Sequence, residues 1–383
     1  MTTARLPSIV HVPMAQGTQG STLLKVAERL SEAHARSGGS SAIVLGPGLQ
    51  TERTPVIRVS YDAVRFPVDR LRQDVVWGWL GRQRPHYGRV YDPVIAALEG
   101  DRPDGVMLYE GHYAAASLPR WEALRRKGVH VCLYVHNALS RSYQRPELRR
   151  LLRHADQVVF VSEHQREDAE QRLGRRHGVV TEVVHNGVDD LFRAAGPRRP
   201  PRGEFVVTFV GLVTPAKGPH LVIQAADLVK RTTGLPVRVQ IVGDSWYGRG
   251  GQSPYESWLR DQCSTIDTPV AFIPFVDRVA VANILATSSA ACFPSSTETL
   301  PTAVLEAMAS ALPVVCSDIP GMLEAGGRAV IACPTEDIEA LAAALATLAE
   351  DPQLWADRSR AVWERSALFS WDEAARALAR FPS

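Results

Sequence analysis

Two glutamates in the second half of the sequence have a spacing that suits a site for an anionic ligand. Residues 293–318 read FPSSTETLPTAVLEAMASALPVVCSD, an apolar strand followed by a polar loop and a helix whose first turn begins with proline. Proline costs no hydrogen bond there, and the amides of Thr302 and Ala303 then point out of a positive helix N-terminus that favours phosphate. Glu298 lies on the loop beside this position, and Glu306 lies in the second turn. The alternative interpretation is a helix start with an acidic capping loop.

A lysine in a second loop suits the same class of ligand. Residues 209–225 (FVGLVTPAKGPHLVIQA) run from a strand through Gly211 and Lys217 into a helix, and another strand ends at Gly243. A glycine directly after a strand allows close backbone approach, and a lysine in that loop attracts an anion. The spacing is not that of a P-loop, so it does not indicate ATP hydrolysis. A solvated loop lysine is the alternative.

The first half contains a glycine-rich loop and two histidines at predicted strand ends. Residues 16–21 (QGTQGS), with Gly17 and Gly20, lack the G-x-G-x-x-G pattern, which argues against a dinucleotide cofactor. His112 and His136 follow strands, where a histidine can touch substrate, although a structural histidine is the alternative for each. There is no G-x-S-x-G elbow and no metal-ligand spacing such as H-E-x-x-H, so hydrolase and metalloenzyme interpretations are disfavoured.

The elements that must position these residues follow one pattern. Short β-branched runs alternate with longer amphipathic segments, which predicts parallel βαβ units in doubly wound α/β domains. In the first half we expect strands at 8–12, 41–45, 105–109, 129–134, 157–161 and 181–184, and helices at 21–36 and 120–127. In the second half we expect strands at 205–210, 238–242, 270–273, 290–293 and 313–316, and helices at 220–232, 278–287, 302–310 and 338–349.

A run rich in Arg, Pro and Gly at 193–203 interrupts the alternation and cannot pack as a helix or strand. With 383 residues, the chain is long enough for two domains. We therefore expect an N-terminal Rossmann-like domain at 1–192, a linker at 193–204 and a C-terminal Rossmann-like domain at 205–365. Ligands of such sheets bind beyond the carboxyl ends of the strands, which places the expected site between the domains.

Composition excludes several classes of protein. Hydrophobic residues make up 45% and charged residues 22%, and Lys+Arg 43 against Asp+Glu 41 leaves a net charge of +2, so nothing global indicates nucleic acid. No apolar run is long enough to span a membrane, and the N-terminal apolar run is too short for a signal peptide. Five cysteines without zinc spacing predict buried thiols in a reducing cytoplasm.

Tryptophans among arginines mark the segment 69–92 (DRLRQDVVWGWLGRQRPHYGRVYD). Trp77 and Trp79 in this setting suit a membrane surface with anionic lipids, which would serve a lipid-linked acceptor. A cleft in which the rings stack on sugars suits them equally. The third interpretation is a surface helix whose tryptophans pack inward.

Together, the ordered motifs resemble the retaining, nucleotide-sugar-dependent glycosyltransferases of family 4, whose two-domain fold is called GT-B. The most specific match is Glu-(seven residues)-Glu, met by Glu298 and Glu306, and the resemblance covers nearly the whole chain. Supporting matches are Gly211 with Lys217-Gly218, Val242-Gly243-Asp244, His185-Asn186-Gly187-Val188-Asp189 with Phe192, Val161-Ser162, Tyr134-Val135-His136-Asn137 and Phe369-Ser370-Trp371. In this family the last helix crosses back to the N-terminal domain, which the resemblance assigns here to 366–383.

The resemblance also implies roles for individual residues. Glu306 would bind the ribose of the nucleotide, Glu298 would contact the donor sugar near the reaction centre, and Lys217 would neutralise the diphosphate. The remaining donor-site residues are implied to be Gly17, Gly20, Gly211, Gly243, Leu300, Thr302 and Ala303. On the acceptor side, the resemblance places His136 near the donor sugar and acceptor, and we add His112, Trp77 and Trp79. No metal or cofactor is required if Lys217 and a helix N-terminus supply the positive charge.

Two positions depart from the family pattern. Leu212 stands where an arginine is common, which removes one phosphate clamp, and Pro301 stands where a glycine is common, which removes one backbone donor. The function implied is a cytoplasmic hexosyltransferase, possible at the membrane inner face, that acts with retention on a sugar, cyclitol or lipid-linked acceptor. Two alternatives stay open: a sugar-phosphate synthase or phosphorylase on the same fold, and a degenerate module that binds nucleotide sugars without turnover.

Overall fold

The computed structural model describes residues 6–13, 22–51, 55–60, 68–80, 82, 84, 86–100, 102–109, 113–136, 143–174, 179–245 and 253–381, with the backbone alone for 68–71. The chain divides into two compact units. Unit 1 comprises Met1–Asn186 together with Trp371–Ser383, and unit 2 comprises Gly187–Ser370. The division therefore falls at Asn186 and not at the expected residue 192.

Unit 1 is built on a parallel seven-stranded sheet of order β3-β2-β1-β4-β5-β6-β7. Its five central strands are largely apolar and buried on both faces, as expected when helices cover both sides of a parallel sheet, whereas the edge strands are partly exposed. The seven strands are β1 Ile9–Val12, β2 Ser41–Leu45, β3 Val56–Arg58, β4 Gly105–Tyr109, β5 His130–Val135, β6 Gln157–Phe160 and β7 Val180–Val183. The α-helices are Thr22–Arg36, Val68–Trp79, Asp92–Leu98, Ala114–Ser117, Glu122–Arg125, Arg145–Leu152, Glu163–Leu173 and Trp371–Leu378, and the 3-10 helices are Tyr87–Tyr91 and Leu118–Trp121.

Unit 2 is built on a parallel six-stranded sheet of order β10-β9-β8-β11-β12-β13. Its strands are β8 Phe205–Val210, β9 Val237–Val242, β10 Val270–Ile273, β11 Ala290–Phe293, β12 Val314–Ser317 and β13 Ile331–Cys333. Its α-helices are Pro219–Thr233, Pro254–Cys263, Arg278–Thr287, Thr302–Ala309, Pro320–Gly326, Ile338–Glu350 and Pro352–Ser366, and its 3-10 helices are Asp190–Phe192 and Pro215–Lys217. The strand order reverses between β8 and β11, so the loops after these two strands flank the switch point of the sheet.

The doubly wound α/β fold and the strands expected from the apolar runs are confirmed. The pattern missed β3 and β13, which lie at sheet edges and have three residues each. Three residues are too few to show a period of two. The helix expected at 120–127 was wrong in detail, since a 3-10 turn over Leu118–Trp121 leads into a four-residue α-helix, Glu122–Arg125.

The segment 193–204 has no helix or strand, as expected, and its first residues are hydrogen-bonded to other parts of unit 2. The Ala194 N–H donates to the Ala309 carbonyl oxygen, and the Trp363 indole N–H donates to the Ala194 carbonyl oxygen. The Arg198 guanidinium donates to the carbonyl oxygens of Leu285 and Ser288. The segment is thus an irregular strap, in which the backbone of Ala194 and the N–H of Arg198 find hydrogen-bond partners within unit 2. The strap belongs to unit 2 throughout.

The last helix, Trp371–Leu378, belongs to unit 1 although it follows unit 2 in sequence. It packs against the helix Thr22–Arg36, and Arg36 pairs with Asp372 at 2.6 Å. Beyond it, the Phe381 ring stacks on His130 with centroids 4.6 Å apart. A Cβ on Gly105 would lie 2.2 Å from that ring, so glycine at this position makes room for the terminal segment.

All five cysteines are free thiols, and four of them are buried. Burial raises the pKa of Cys316 to about 12 and that of Cys333 to about 11, so both thiols stay protonated at neutral pH. Across the described part of the chain, no helix is both long enough and apolar enough to cross a membrane.

Candidate functional site

The loops that follow β8 and β11 bring Lys217 and Glu298 together. The Lys217 Nζ lies 2.5 Å from the Glu298 Oε1, and the Ser295 hydroxyl donates to the same oxygen at 3.3 Å. The two residues are 81 positions apart in the sequence, and they meet because β8 and β11 are neighbours at the switch point. The lysine side chain is 30% exposed and the glutamate side chain 15%, so the pair lies at the edge of the protein surface.

Backbone contacts hold the two loops against each other. The Ser296 N–H donates to the carbonyl oxygen of Ala216 at 2.9 Å, directly before Lys217. Gly218 has φ +71°, and a Cβ there would lie 2.6 Å from the carbonyl oxygen of Pro294. The close approach of the loops, and with it the Lys217–Glu298 distance, therefore depends on this glycine.

A third segment, the helix Pro320–Gly326, packs against the backbone of the Glu298 loop. A Cβ on Gly321, in the helix Pro320–Gly326, would lie 2.4 Å from the Glu298 carbonyl oxygen and 2.7 Å from that of Thr299. Gly321 was not identified from the sequence, because a single glycine at the start of a helix carries no signal for a contact with a loop more than twenty residues earlier.

The helix Thr302–Ala309 begins where the Glu298 loop ends. Pro301 is its N-cap, in an extended conformation, and its carbonyl oxygen accepts the N–H groups of Val304 and Leu305. The first N–H groups of a helix have no intrahelical acceptor, and those of Thr302 and Ala303 carry the positive end of the dipole. Both residues are partly exposed, whereas the side chain of Leu300 is buried in unit 2.

Glu306 is held by an arginine that the sequence analysis did not select. The Arg278 guanidinium lies 3.0 Å from the Glu306 carboxylate and 2.8 Å from that of Asp189, and it covers the Phe192 ring at 4.9 Å. Arg278 is the first residue of the helix after β10, so its place beyond the carboxyl end of a strand was the available signal. This contact joins the second glutamate of the motif to Asp189 and Phe192 of the His185–Phe192 segment.

Gly211 and Gly243 allow neighbouring strand ends to approach closely. Gly243 has φ +130°, and a Cβ there would lie 2.1 Å from the carbonyl oxygen of Gly211. The Gly211 N–H donates to the Val242 carbonyl, and the Gly243 N–H donates to the Ile273 carbonyl. The ends of β8 and β9 are thus in direct backbone contact at these two glycines.

In unit 1, His136 follows β5 within a cluster of aromatic rings. Its ring lies 4.3 Å from that of Tyr134 and stacks on that of Tyr109 at 5.7 Å. His11, on β1, approaches the Tyr109 hydroxyl at 2.8 Å. Burial lowers the pKa of His11 and that of His136 to about 3, so both imidazoles are uncharged at neutral pH. His136 is therefore a neutral hydrogen-bonding group and not a cation.

Trp77 and Trp79 lie on the helix Val68–Trp79 of unit 1, and both are exposed, which contradicts the interpretation that they pack inward. Gly17, Gly20 and His112 lie outside the described residues. Among the residues that the structure describes, no group of three or more His, Cys, Asp or Glu is arranged to hold a metal ion.

Family models match both halves of the chain. The model described as "Glycosyl transferases group 1" matches residues 194–367, and the model described as "Glycosyltransferase Family 4" matches residues 25–190. The first match contains Lys217, Glu298 and Glu306.

Curated relatives agree with the family models. D-inositol 3-phosphate glycosyltransferase of Mycobacterium avium is 30% identical over 312 residues, which cover 74% of this chain and 71% of that one. Glycogen synthase of Mycobacterium tuberculosis is 28% identical over 253 residues, which cover 64% of this chain and 58% of the relative's length.

A solved structure of Anabaena HepE in complex with UDP-glucose superposes with a TM-score of 0.70 at 17% identity, covering 97% of this chain and 98% of that one. Sucrose-phosphate synthase from Thermosynechococcus elongatus gives a TM-score of 0.68 at 18% identity and covers 97% of each chain. At these identities the superpositions establish the fold. The chain belongs to the group 1 glycosyltransferases and has the GT-B fold of two Rossmann-like domains.

Proposed function

We propose that this chain is a glycosyltransferase that moves a hexosyl unit from a nucleotide diphosphate sugar, with retention, to a hydroxyl of a sugar, cyclitol or lipid-linked acceptor. The observation that carries the proposal is the Lys217–Glu298 pair, 2.5 Å apart at the switch point of the unit 2 sheet. The pair lies beside the N-terminus of the helix Thr302–Ala309, where an anionic group is favoured.

The chemistry requires a diphosphate to leave an anomeric carbon while positive charge develops on the sugar. Lys217 and the amides of Thr302 and Ala303 would neutralise the charge that grows on the leaving oxygens. Such fixed groups lower a barrier because they stabilise the transition state more than the bound substrate. Glu298 would contact the sugar and Glu306, held by Arg278, would bind the ribose. The part of His136 in this reaction stays a prediction from the family resemblance.

The relatives support the choice of substrates. The relatives include a glycogen synthase and a D-inositol 3-phosphate glycosyltransferase, which point to sugar and cyclitol acceptors, and HepE was solved with UDP-glucose. UDP-glucose is therefore the first donor to test. We also propose a cytoplasmic location, because the five cysteines are free thiols without a disulfide.

The test is a panel of UDP-, ADP- and GDP-linked hexoses with sugar and inositol phosphate acceptors, read as nucleotide release. Lys217→Ala and Glu298→Gln should each lower kcat by about 100-fold or more, the scale for loss of one electrostatic group. The exposed residues Lys127 and Glu339 provide matched controls, Lys127→Ala and Glu339→Gln, which should keep wild-type rates. Wild-type kcat in both site variants would show that the site is assigned wrongly.

Further arms of the same assay separate the alternatives. Dialysis against EDTA should leave the rate unchanged, and a rate restored by a divalent ion after dialysis would contradict metal-independent transfer. The anomeric configuration of the product, read by proton NMR coupling, should match that of the donor. Turnover that needs inorganic phosphate would indicate a phosphorylase, and donor binding by calorimetry without any turnover would indicate a binding module.

A further inference from the structure

The C-terminal half of the helix Val68–Trp79 of unit 1, together with Leu80 after it, exposes several large apolar side chains. Five large apolar side chains on its outer side and C-terminal end are exposed, and we call them the apolar face. The exposed fractions are 54% for Val75, 55% for Val76, 44% for Trp77, 80% for Trp79 and 60% for Leu80. Several exposed large apolar side chains on one element are unusual in a monomeric protein and indicate a binding surface.

The inward side of the same helix is held by polar contacts. The buried Asp74 carboxylate accepts the N–H groups of His86 and Tyr87 at 2.7 and 2.8 Å. Gly78, four residues later on the same side, leaves room for Arg84, since a Cβ there would lie 1.9 Å from the Arg84 Nε. The helix is therefore anchored through charge and hydrogen bonds, and its apolar residues are free to face outward.

Arg84 completes this anchor. Its Nε lies 3.1 Å from the Glu147 carboxylate, and its guanidinium lies over the rings of Tyr87 and Tyr143 at 5.4 and 5.0 Å. The buried, paired Arg84 thus fills the space that Gly78 leaves beside the helix. The outward orientation of the apolar face is thus built into the fold of this unit.

The charge around the apolar face is positive. Arg72 and Arg82 are exposed, and the Arg82 guanidinium lies 5.9 Å from the centre of the Trp77 ring. Between residues 70 and 91 the sequence has a single acidic residue, Asp74, and that carboxylate is buried and hydrogen-bonded. Between residues 70 and 91, therefore, no exposed carboxylate opposes an anionic partner, and the partly exposed Asp92 that follows is paired with Arg120.

We propose that the apolar face with Arg72 and Arg82 docks unit 1 onto a membrane surface that contains anionic lipids. Tryptophan favours the interface between headgroups and acyl chains, and an arginine reaches phosphate groups while its stem stays in the apolar layer. A protein partner would need acidic residues around an apolar groove, whereas a bilayer offers both features over its whole surface. This surface goes beyond the transfer reaction and does not depend on which donor is used.

The test is flotation of the full chain with vesicles of phosphatidylcholine alone or with phosphatidylglycerol added, at low and high salt. We expect binding to the anionic vesicles at low salt, weakened by salt because the arginine contribution is screened. The double variant Trp79→Ser/Leu80→Ser should bind at least about tenfold more weakly. Arg72→Gln and Arg82→Gln should each cost about fivefold, the scale for one basic residue near such a surface.

Matched controls come from unit 2. Trp258 is 43% exposed on the helix Pro254–Cys263, and Arg202 is exposed on the strap, so Trp258→Ser and Arg202→Gln should leave vesicle binding unchanged. The melting temperature of unit 1 should not fall in the Trp79→Ser/Leu80→Ser variant, because both side chains are exposed.

Three results would overturn the proposal: no flotation of the wild-type chain with anionic vesicles at low salt, equal binding with and without phosphatidylglycerol, or equal loss in the control variants. A wild-type dimer that Trp79→Ser dissociates in sedimentation would instead make the apolar face an interface between copies. The flotation assay contains no sugar donor, so its failure leaves the proposed transfer reaction untouched.

Discussion

At the scale of single residues, the lysine and glutamate of the two central loops depend on each other. Lys217 and Glu298 form an ion pair in which each side chain is at least two-thirds buried. A pair of this kind holds both charges in fixed positions, whereas the ammonium group of a solvated lysine moves freely. A donor diphosphate would compete with Glu298 for the lysine. Binding of the donor and the position of the Glu298 carboxylate are therefore linked at this contact.

Gly218 controls that contact, and its replacement is the sharpest single-residue test. Gly218→Ala should destabilise unit 2 by about 1–2 kcal/mol through its left-handed backbone, with an added cost from overlap with the Pro294 carbonyl oxygen. The shifted loop should also raise the KM for donor.

The control for this prediction is Gly234→Ala. Gly234 has φ +72°, nearly that of Gly218, but open space where its Cβ would lie. Thermal unfolding and donor kinetics of the two variants separate backbone strain from overlap. Equal effects of both substitutions on KM would contradict the role assigned to Gly218.

Arg278 is the residue that links Glu306 to Asp189. Arg278→Met should destabilise unit 2 by about 2 kcal/mol, because two largely buried carboxylates lose a charged hydrogen-bond partner. Donor affinity should fall as well, since Glu306 is no longer held. Calorimetric unfolding and titration with donor measure both.

The comparison for Arg278 is Arg238→Met. Arg238 forms a surface pair with Glu204 in which both side chains are more than a third exposed, and such pairs contribute less than about 1 kcal/mol. A loss in Arg278→Met no larger than that in Arg238→Met would mean that the Arg278 contacts are ordinary surface pairs.

At the scale of elements, two central strands of unit 1 position buried imidazoles, His11 on β1 and His136 directly after β5, and these make the unit sensitive to acid. The pKa of His11 and that of His136 fall to about 3 through burial, against about 6.5 in an unfolded chain. Above pH 6.5 neither the folded nor the unfolded state binds the proton, so these histidines do not lower the free energy of unfolding. As the pH falls from 6.5 towards 3, the unfolded state takes up the protons first, and each histidine removes about 1.4 kcal/mol per pH unit.

His11→Gln should therefore reduce the pH slope of unit 1 stability between pH 6 and 4.5 by about 1.4 kcal/mol per unit. Hydrogen exchange of the β5 amides, read by mass spectrometry, measures this slope. Tyr109→Phe removes the hydrogen-bond partner of His11 but keeps the imidazole, so it should lower stability and leave the slope in place. An unchanged slope in His11→Gln would contradict the assignment.

At the scale of the whole molecule, the C-terminal segment ties the end of the chain to the unit with which the chain begins. Deleting residues 371–383 removes the Arg36–Asp372 pair and uncovers His130 and Gly105. Unit 1 should then unfold at a lower temperature, while unit 2 should keep its own transition.

Limited proteolysis followed by mass spectrometry checks this deletion, with new cleavage expected in the helix Thr22–Arg36. Truncation after Phe381 is the control and should change neither transition. Equal destabilisation of both units by the deletion would show that the segment does not belong to unit 1 alone.

The sequence by itself was enough for the fold class and most strands, because continuous apolar runs are local signals. The fixed spacing of Glu298 and Glu306 is a local signal too, and the roles assigned to the two glutamates stay a prediction. Local signals failed for β3 and β13, which are too short, and they do not reveal the hydrogen-bond partners of the strap, which lie far away in the sequence.

Only the tertiary structure decided which residues meet. Lys217 reaches Glu298 because β8 and β11 are adjacent at the switch point, and Arg278 reaches Glu306 from the end of another strand. The tryptophans of the helix Val68–Trp79 face outward because Asp74 and Gly78 turn inward to contacts that no helical period reveals. Periodicity shows that a helix has two sides, but the partners supplied by the rest of the fold determine which side is buried.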